Sequence, residues 1–162
     1  MAIIHTLGVV CASNAALASQ IARHYASLTI SIPGIADIAC EASIHEIGKH
    51  HLVEVFPVGM GVGLPPGHYP SRPELLEPAN VVAIREALYL PLKSFPGFRY
   101  ARFDVEAAGQ MMSQLEGEEI EVLYPHTIFH VDLATRYTSN LAPNCLCRNI
   151  AWSSLVEIDS FR

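Results

Sequence analysis

Eight histidines stand in a chain with only two lysines, Lys49 and Lys93. Histidine titrates near physiological pH and is the commonest metal ligand, so its placement is the first question about chemistry. One group is His126-x-x-x-His130-x-Asp132. On a strand these three residues fall on one face, because side chains repeat every second residue. Two imidazoles and a carboxylate on one face can hold a metal ion, or form a general base with its orienting partner. The plainer account is the polar side of an amphipathic strand, with Phe129, Val131 and Leu133 buried.

A second group reads His45-Glu46-Ile47-Gly48-Lys49-His50-His51. A zinc-protease helix needs H-E-x-x-H, since histidines four apart share a helix face. Here the next histidine is five away, beyond Gly48, and the motif is absent. His50 and His51 point to opposite sides of a strand, so His45 and His50 are the candidate metal pair. The competing expectation places His45 in the last turn of a helix, where a cation meets the C-terminal dipole.

The thiols offer a third possibility. Cys11 sits where a strand should give way to a helix, and helix N-termini depress thiol pKa values. A thiol nucleophile there would need a histidine from elsewhere, such as His126 or His130. The alternative is a core thiol among apolar neighbours. The C-x5-R phosphatase loop is missing, because position 17 is Leu17. Cys145-Leu146-Cys147 is C-x-C, with no second pair to complete a zinc site. Gly59-Met60-Gly61-Val62-Gly63 matches neither a dinucleotide fingerprint nor a Walker loop. No cofactor is expected, zinc being the ion these ligands would take if any.

The elements that must carry these groups follow from periodicity. Ile3 to Val10 is a β-rich apolar run. Ser13 or Asn14 can cap a helix reaching about Ala26, with Leu17, Ile21, Tyr25 and Leu28 on one stripe. Leu28 to Ile32 reads as a short strand, and Pro33-Gly34 as a turn. Asp37 can cap a second helix, with Ile38, Ile44 and Ile47 inward and Gly48 as its stop. His51 to Phe56 is a strand. Pro57 to Pro73 holds five prolines and four glycines, with Val58, Met60, Val62 and Leu64 alternating between them. A stretch of that length without regular structure is usually functional, and its apolar side chains need something to pack against.

A helix is expected over Ala79 to Leu90, stopped by Pro91, and a strand over Phe98 to Phe103. Asp104 can cap a further helix with Val105, Ala108, Met112 and Leu115 on one stripe and Gly117 at its end. Ile120 to Tyr124 alternates as a strand with an acidic outer side. Thr127 to Leu133 should pair with it, and Asn149 to Ile158 reads as a closing strand anchored by Trp152. The pattern is α+β, a single domain over 1–162 with a mixed or antiparallel sheet and helices mainly on one face. An α/β layering of the N-terminal half is the alternative.

Bulk composition narrows the partners. The chain of 162 residues is long enough for a full core without disulfides. Charged residues make up 16%, hydrophobic ones 51%, and the mean hydropathy is +0.28. That balance implies apolar surface for another molecule to cover. A net charge of −6 with no arginine-rich run excludes the positive field that nucleic acids require. No apolar run reaches the ~20 residues of a membrane span. The first arginine is Arg23, so the N-terminus lacks the basic start of a secretory signal, and a cytoplasmic location is expected.

The function expected is a non-enzymatic protein-binding module, an acidic inhibitor or immunity-type protein or an assembly subunit. Met60, Val62, Leu64, His68 and Tyr69 on the glycine–proline stretch, and the acidic Glu118, Glu119 and Glu121, are its expected contacts with another protein or a second copy. The alternative is a small hydrolase using Cys11 with a histidine, or His126, His130 and Asp132.

Overall fold

The computed structural model describes residues 3–63, 70–116, 127–130, 145–149 and 155–161. Its framework is a sheet whose strands run β2-β3-β4-β1-β6-β7-β9-β8. These are β1 (Ile3–Val10), β2 (Thr29–Ile30), β3 (Ile38–Ile47), β4 (His50–Pro57), β6 (Tyr100–Val105), β7 (Thr127–His130), β8 (Cys145–Asn149) and β9 (Leu155–Phe161). The short β5 (Gly61–Val62) joins the start of β1. Among the described residues three α-helices accompany them: α1 (Ala15–Ala26), α2 (Pro78–Tyr89) and α3 (Ala107–Glu116). The fold is α+β. Every pairing among the described strands is antiparallel, so the N-terminal half is not an α/β layer.

β1 is the centre of the sheet, paired along its length with β6 and over its second half with β4. Its odd and even residues build two different faces. Leu7, Val9 and the following Cys11 belong to the main core with Leu17, Ile21 and Tyr25 of α1 and Ile84, Leu88 and Tyr89 of α2. Asn14 caps α1 as expected, its side chain accepting from the Leu17 amide at 3.0 Å. The Tyr25 hydroxyl donates to the Leu88 carbonyl, tying α1 to α2 inside that core.

Thr6 and Gly8 face the other way, toward α3. A Cβ on Gly8 would stand 2.5 Å from Met111 Sδ and 3.3 Å from the Ala108 backbone, so glycine is what lets α3 lie directly on the sheet. Two helices thus cover one side and the third covers the other.

Several expectations are corrected. Ile38–Ile47 is a strand, not a helix. Ile38, Cys40, Ala42 and Ile44 alternate with Ala39, Glu41 and Ser43, and this period of two prevailed over the helical spacing of the isoleucines. Gly48 keeps the positive φ expected of it, at 56°, but spends it on a two-residue hairpin turn closing Ile47 onto His50. Helix stops and such hairpins both want glycine with φ above zero, so Gly48 alone could not decide between them.

Asp104 is not a helix cap. It lies in β6, and its Oδ1 accepts from the next amide, that of Val105. Glu106, at φ 50°, makes the turn, and the Ala108 amide at the start of α3 donates to Thr6 Oγ1 from β1 at 3.1 Å. Met111 is buried where Met112 was expected. The single closing strand is instead two, β8 and β9, paired with each other. The strand expected over 120–124 lies outside the described residues.

Candidate functional site

The polar side chains concentrate on the α3 side of the sheet. One cross-strand row runs Ser43, Glu54, Gly8, Arg102 and Thr127 through β3, β4, β1, β6 and β7. Gly8 in the middle is roofed by α3, which divides the row into two polar groups.

The first group is Ser43, His45 and Glu54. Ser43 and His45 are two apart on β3 and so share a face, and Glu54 is directly opposite Ser43 on β4. His45 Nε2 lies 2.9 Å from Glu54 Oε2 and 3.1 Å from Ser43 Oγ. The residue types are those of a hydrolytic relay, but both contacts fall on the same ring nitrogen. With a carboxylate that close, Nε2 carries its proton and donates it to Glu54. It then has no lone pair with which to take the Ser43 proton. A relay needs acid and nucleophile on opposite nitrogens, so this trio is a cross-strand hydrogen-bonded pair with a neighbouring hydroxyl. Both His45 and Glu54 are partly exposed.

The proposed metal pair comes out on the same hairpin. His45 is opposite Leu52 and Ile47 is opposite His50, so the two histidines are diagonal neighbours. Among the described residues no group of three His, Cys, Asp or Glu side chains could hold a metal ion. His45 ends no helix, and its partner is a carboxylate rather than a helix dipole.

The second group is Arg102, Asp104 and Gln110. Arg102 is buried, donating from one terminal nitrogen to Gln110 Oε1 at 2.8 Å and from the other to Asp104 Oδ2 at 2.7 Å. A buried guanidinium needs such partners, because an unpaired charge there costs several kcal/mol. Its effect is to fix α3, which carries Gln110, to β6.

Cys11 is fully buried in the main core, and burial pushes its thiol up to about 12. At neutral pH it is a protonated core side chain, with its Sγ near the Val9 carbonyl. Cys40, raised to about 11 for the same reason, is a second core thiol. The helix N-terminus near Cys11 is outweighed because desolvation penalises the thiolate more than the dipole favours it.

The glycine–proline stretch divides. Met60 turns inward and is fully buried, its carbonyl accepting from the His5 amide, so it packs in the core instead of at a binding surface. Val62 turns outward and is 46% exposed, directly opposite Ile3, which is 42% exposed. Gly59 lets Arg72 cross at close range, a Cβ there standing 2.8 Å from Arg72 Cδ. Arg72 donates to the carbonyls of Ala36 and Asp37 and to Glu74, clamping the base of the stretch to the turn before β3. That Arg72 contact also holds the Glu74 carboxyl below its usual range.

Leu64, His68, Tyr69, Glu118, Glu119, Glu121, His126 and Asp132 lie outside the described residues. His130 is placed only as a backbone position of β7, opposite Leu155. The Ser43–His45–Glu54 trio and the Arg102 clamp were missed in the sequence. The first needed the β3–β4 register, and the second needed α3 to fold back over β6. The alternation from Ile38 to Ile44 was the available signal for the first.

No family model, no curated protein and no solved structure matches the chain. Among the described residues, no helix is long and apolar enough to cross a membrane.

Proposed function

We propose that the protein is a non-enzymatic protein-binding module of the cytoplasm, an acidic inhibitor or immunity-type protein or an assembly subunit. The observation that carries this reading is the pair Ile3 and Val62. Two large aliphatic side chains stand opposite each other on β1 and β5, both more than two-fifths exposed, where the glycine–proline stretch leaves the sheet. Adjacent exposed aliphatics of this kind mark contact surfaces more often than isolated ones do. Val82 on α2, at 41%, and Leu90 just beyond its end, at 52%, add apolar surface to a chain poor in charge. Leu64, His68 and Tyr69 continue the same stretch in sequence, and Glu118, Glu119 and Glu121 are acidic residues of a type suited to a basic partner.

No observation on the described residues favours the hydrolase alternative. The Cys11 thiol is buried and protonated, and the one Ser–His–Glu grouping converges on a single nitrogen.

The test compares the purified wild-type chain with Val62→Asp and with Ile3→Asp, each first shown to keep its circular dichroism spectrum. Native mass spectrometry and light scattering then read the assembly. Expected is one stoichiometric protein partner, either another chain or a second copy, bound by the wild type and weakened by about tenfold or more in the variants. A strict monomer with no bound protein at any concentration overturns the reading.

A further inference from the structure

Among the described residues, the outer edge of β3 is open over most of its length. β2 pairs only with Ile38 and Ala39, and the last contact on that side is the Cys40 amide donating to the Leu28 carbonyl. That bond fixes the orientation of every residue that follows, because backbone groups alternate in direction along a strand. Cys40 points outward, so Ala42, Ile44 and Glu46 also point outward. β4 gives the same answer independently. His51 exchanges hydrogen bonds with Cys11 and Ala12 on the β1 side, so His50, Leu52 and Glu54 face β3 and engage Ile47, His45 and Ser43. Among the described residues, nothing pairs with the amides and carbonyls of Ala42, Ile44 and Glu46. At the centre of this edge Ile44 is 41% exposed. Natural edges are usually blunted by a central charge, a proline or a bulge. This one carries an isoleucine.

We propose that the occupant of this edge is a second copy of the chain, docking β3 against β3 antiparallel about a two-fold axis at Ile44. This rests on the protein-binding reading and names its partner. The direction of the backbone groups allows a two-fold on Ser43, Ile44 or His45. An axis on Ser43 sets Glu46 against Cys40, whose amide is already taken by Leu28. An axis on His45 sets Ala42 against Gly48, which has left the strand at positive φ, and stacks two imidazoles on each other. An axis on Ile44 wastes nothing. Ile44 pairs with itself, Ala42 pairs with Glu46 in both directions, and each Ser43 faces the second copy's His45. No two carboxylates are directly opposite. Both exposed isoleucines are covered, and the interface is isologous, as a two-fold dimer requires.

The register makes a sharp test. Hydrogen-bonded antiparallel partners have Cα atoms about 5.5 Å apart, within the span of a disulfide. Ile44→Cys should therefore cross-link to itself under mild oxidation. Ala42→Cys and Glu46→Cys, each opposite a different residue, should not. Ile44→Lys and Ile44→Pro should weaken the dimer about tenfold or more by light scattering. Both should keep the fold, since the Ile44 amide faces away from β4 and edge positions with outward amides accept proline.

A dimer that cross-links through position 44 and is lost in Ile44→Lys supports the proposal. A dimer unaffected by Ile44→Lys overturns it. A monomeric wild type that still binds another protein through Val62 overturns this inference and leaves the protein-binding reading standing. A monomer with no partner overturns both.

Discussion

The two faces of the sheet solve the same burial problem differently. On one face, two helices and the side chains of β1, β4 and β6 make a continuous apolar core that includes Tyr25, Phe98 and Phe103. On the other, a single helix lies so close that glycine is needed beneath it, and polar pairs flank it on both sides. The first face is held by volume, and its stability scales with the apolar area removed from water. The second is held by fit at Gly8 and by hydrogen bonds at Thr6 and Arg102. A face built that way leaves polar groups near the surface and, among the described residues, a short helix as its only lid, which is why the candidate chemistry gathers there.

Mutations should separate the two faces. Phe103→Ala, on the core side, leaves a cavity among well-packed neighbours and should cost about 3–5 kcal/mol in denaturant unfolding. A loss under about 1 kcal/mol would mean that this face is not the main source of stability. Gly8→Val, on the α3 side, forces Met111 and the Ala108 backbone away and should cost about 1–3 kcal/mol. Hydrogen exchange should then show lost protection at the Ala108 amide while α1 stays protected. Equal loss in both helices would erase the distinction between the faces.

A smaller effect is expected at His5, beside Phe103. Burial lowers its pKa below 6.5, with Asp104 acting in the opposite direction. The unfolded chain therefore binds the proton more readily than the folded one. Stability is complete above about pH 6.5 and declines as the pH falls toward the depressed value. His5→Gln should flatten that part of the stability–pH curve, read from unfolding midpoints between pH 7.5 and 5. An unchanged slope would move the acid sensitivity elsewhere.

The smallest change is expected at His45→Ala. The hydrogen-bonded contact with Glu54 is partly exposed, and such surface contacts contribute less than about 1 kcal/mol. A loss several times larger would show that the α3 side carries more of the fold than its packing suggests.

How much was legible differs along the chain. β1 and α1 were readable because their signals are local. A mostly apolar, β-rich run makes a central strand, and Asn14 followed by Leu17, Ile21 and Tyr25 makes a capped amphipathic helix. β3 was misread because Ala, Glu and spaced isoleucines suit either structure, and its neighbour β4 decided. Met60 and Val62 looked equivalent, yet one is core and the other surface, because only the pairing of β5 with β1 sets which way each points. Cys11 looked poised for reactivity, and the packing around it determined that it is not.

The sequence by itself determined the class of fold, the central strand, the first helix and the shortage of charge. Those depend on periodicity and composition within a few turns of chain. Tertiary structure alone decided which residues meet: His45 with Glu54, Arg102 with Gln110, Thr6 with the start of α3. Thr6 and the start of α3 are far apart in the chain, whereas the other two pairs join consecutive elements and meet only because the β3–β4 register and the docking of α3 on β6 bring them together, which no local pattern encodes.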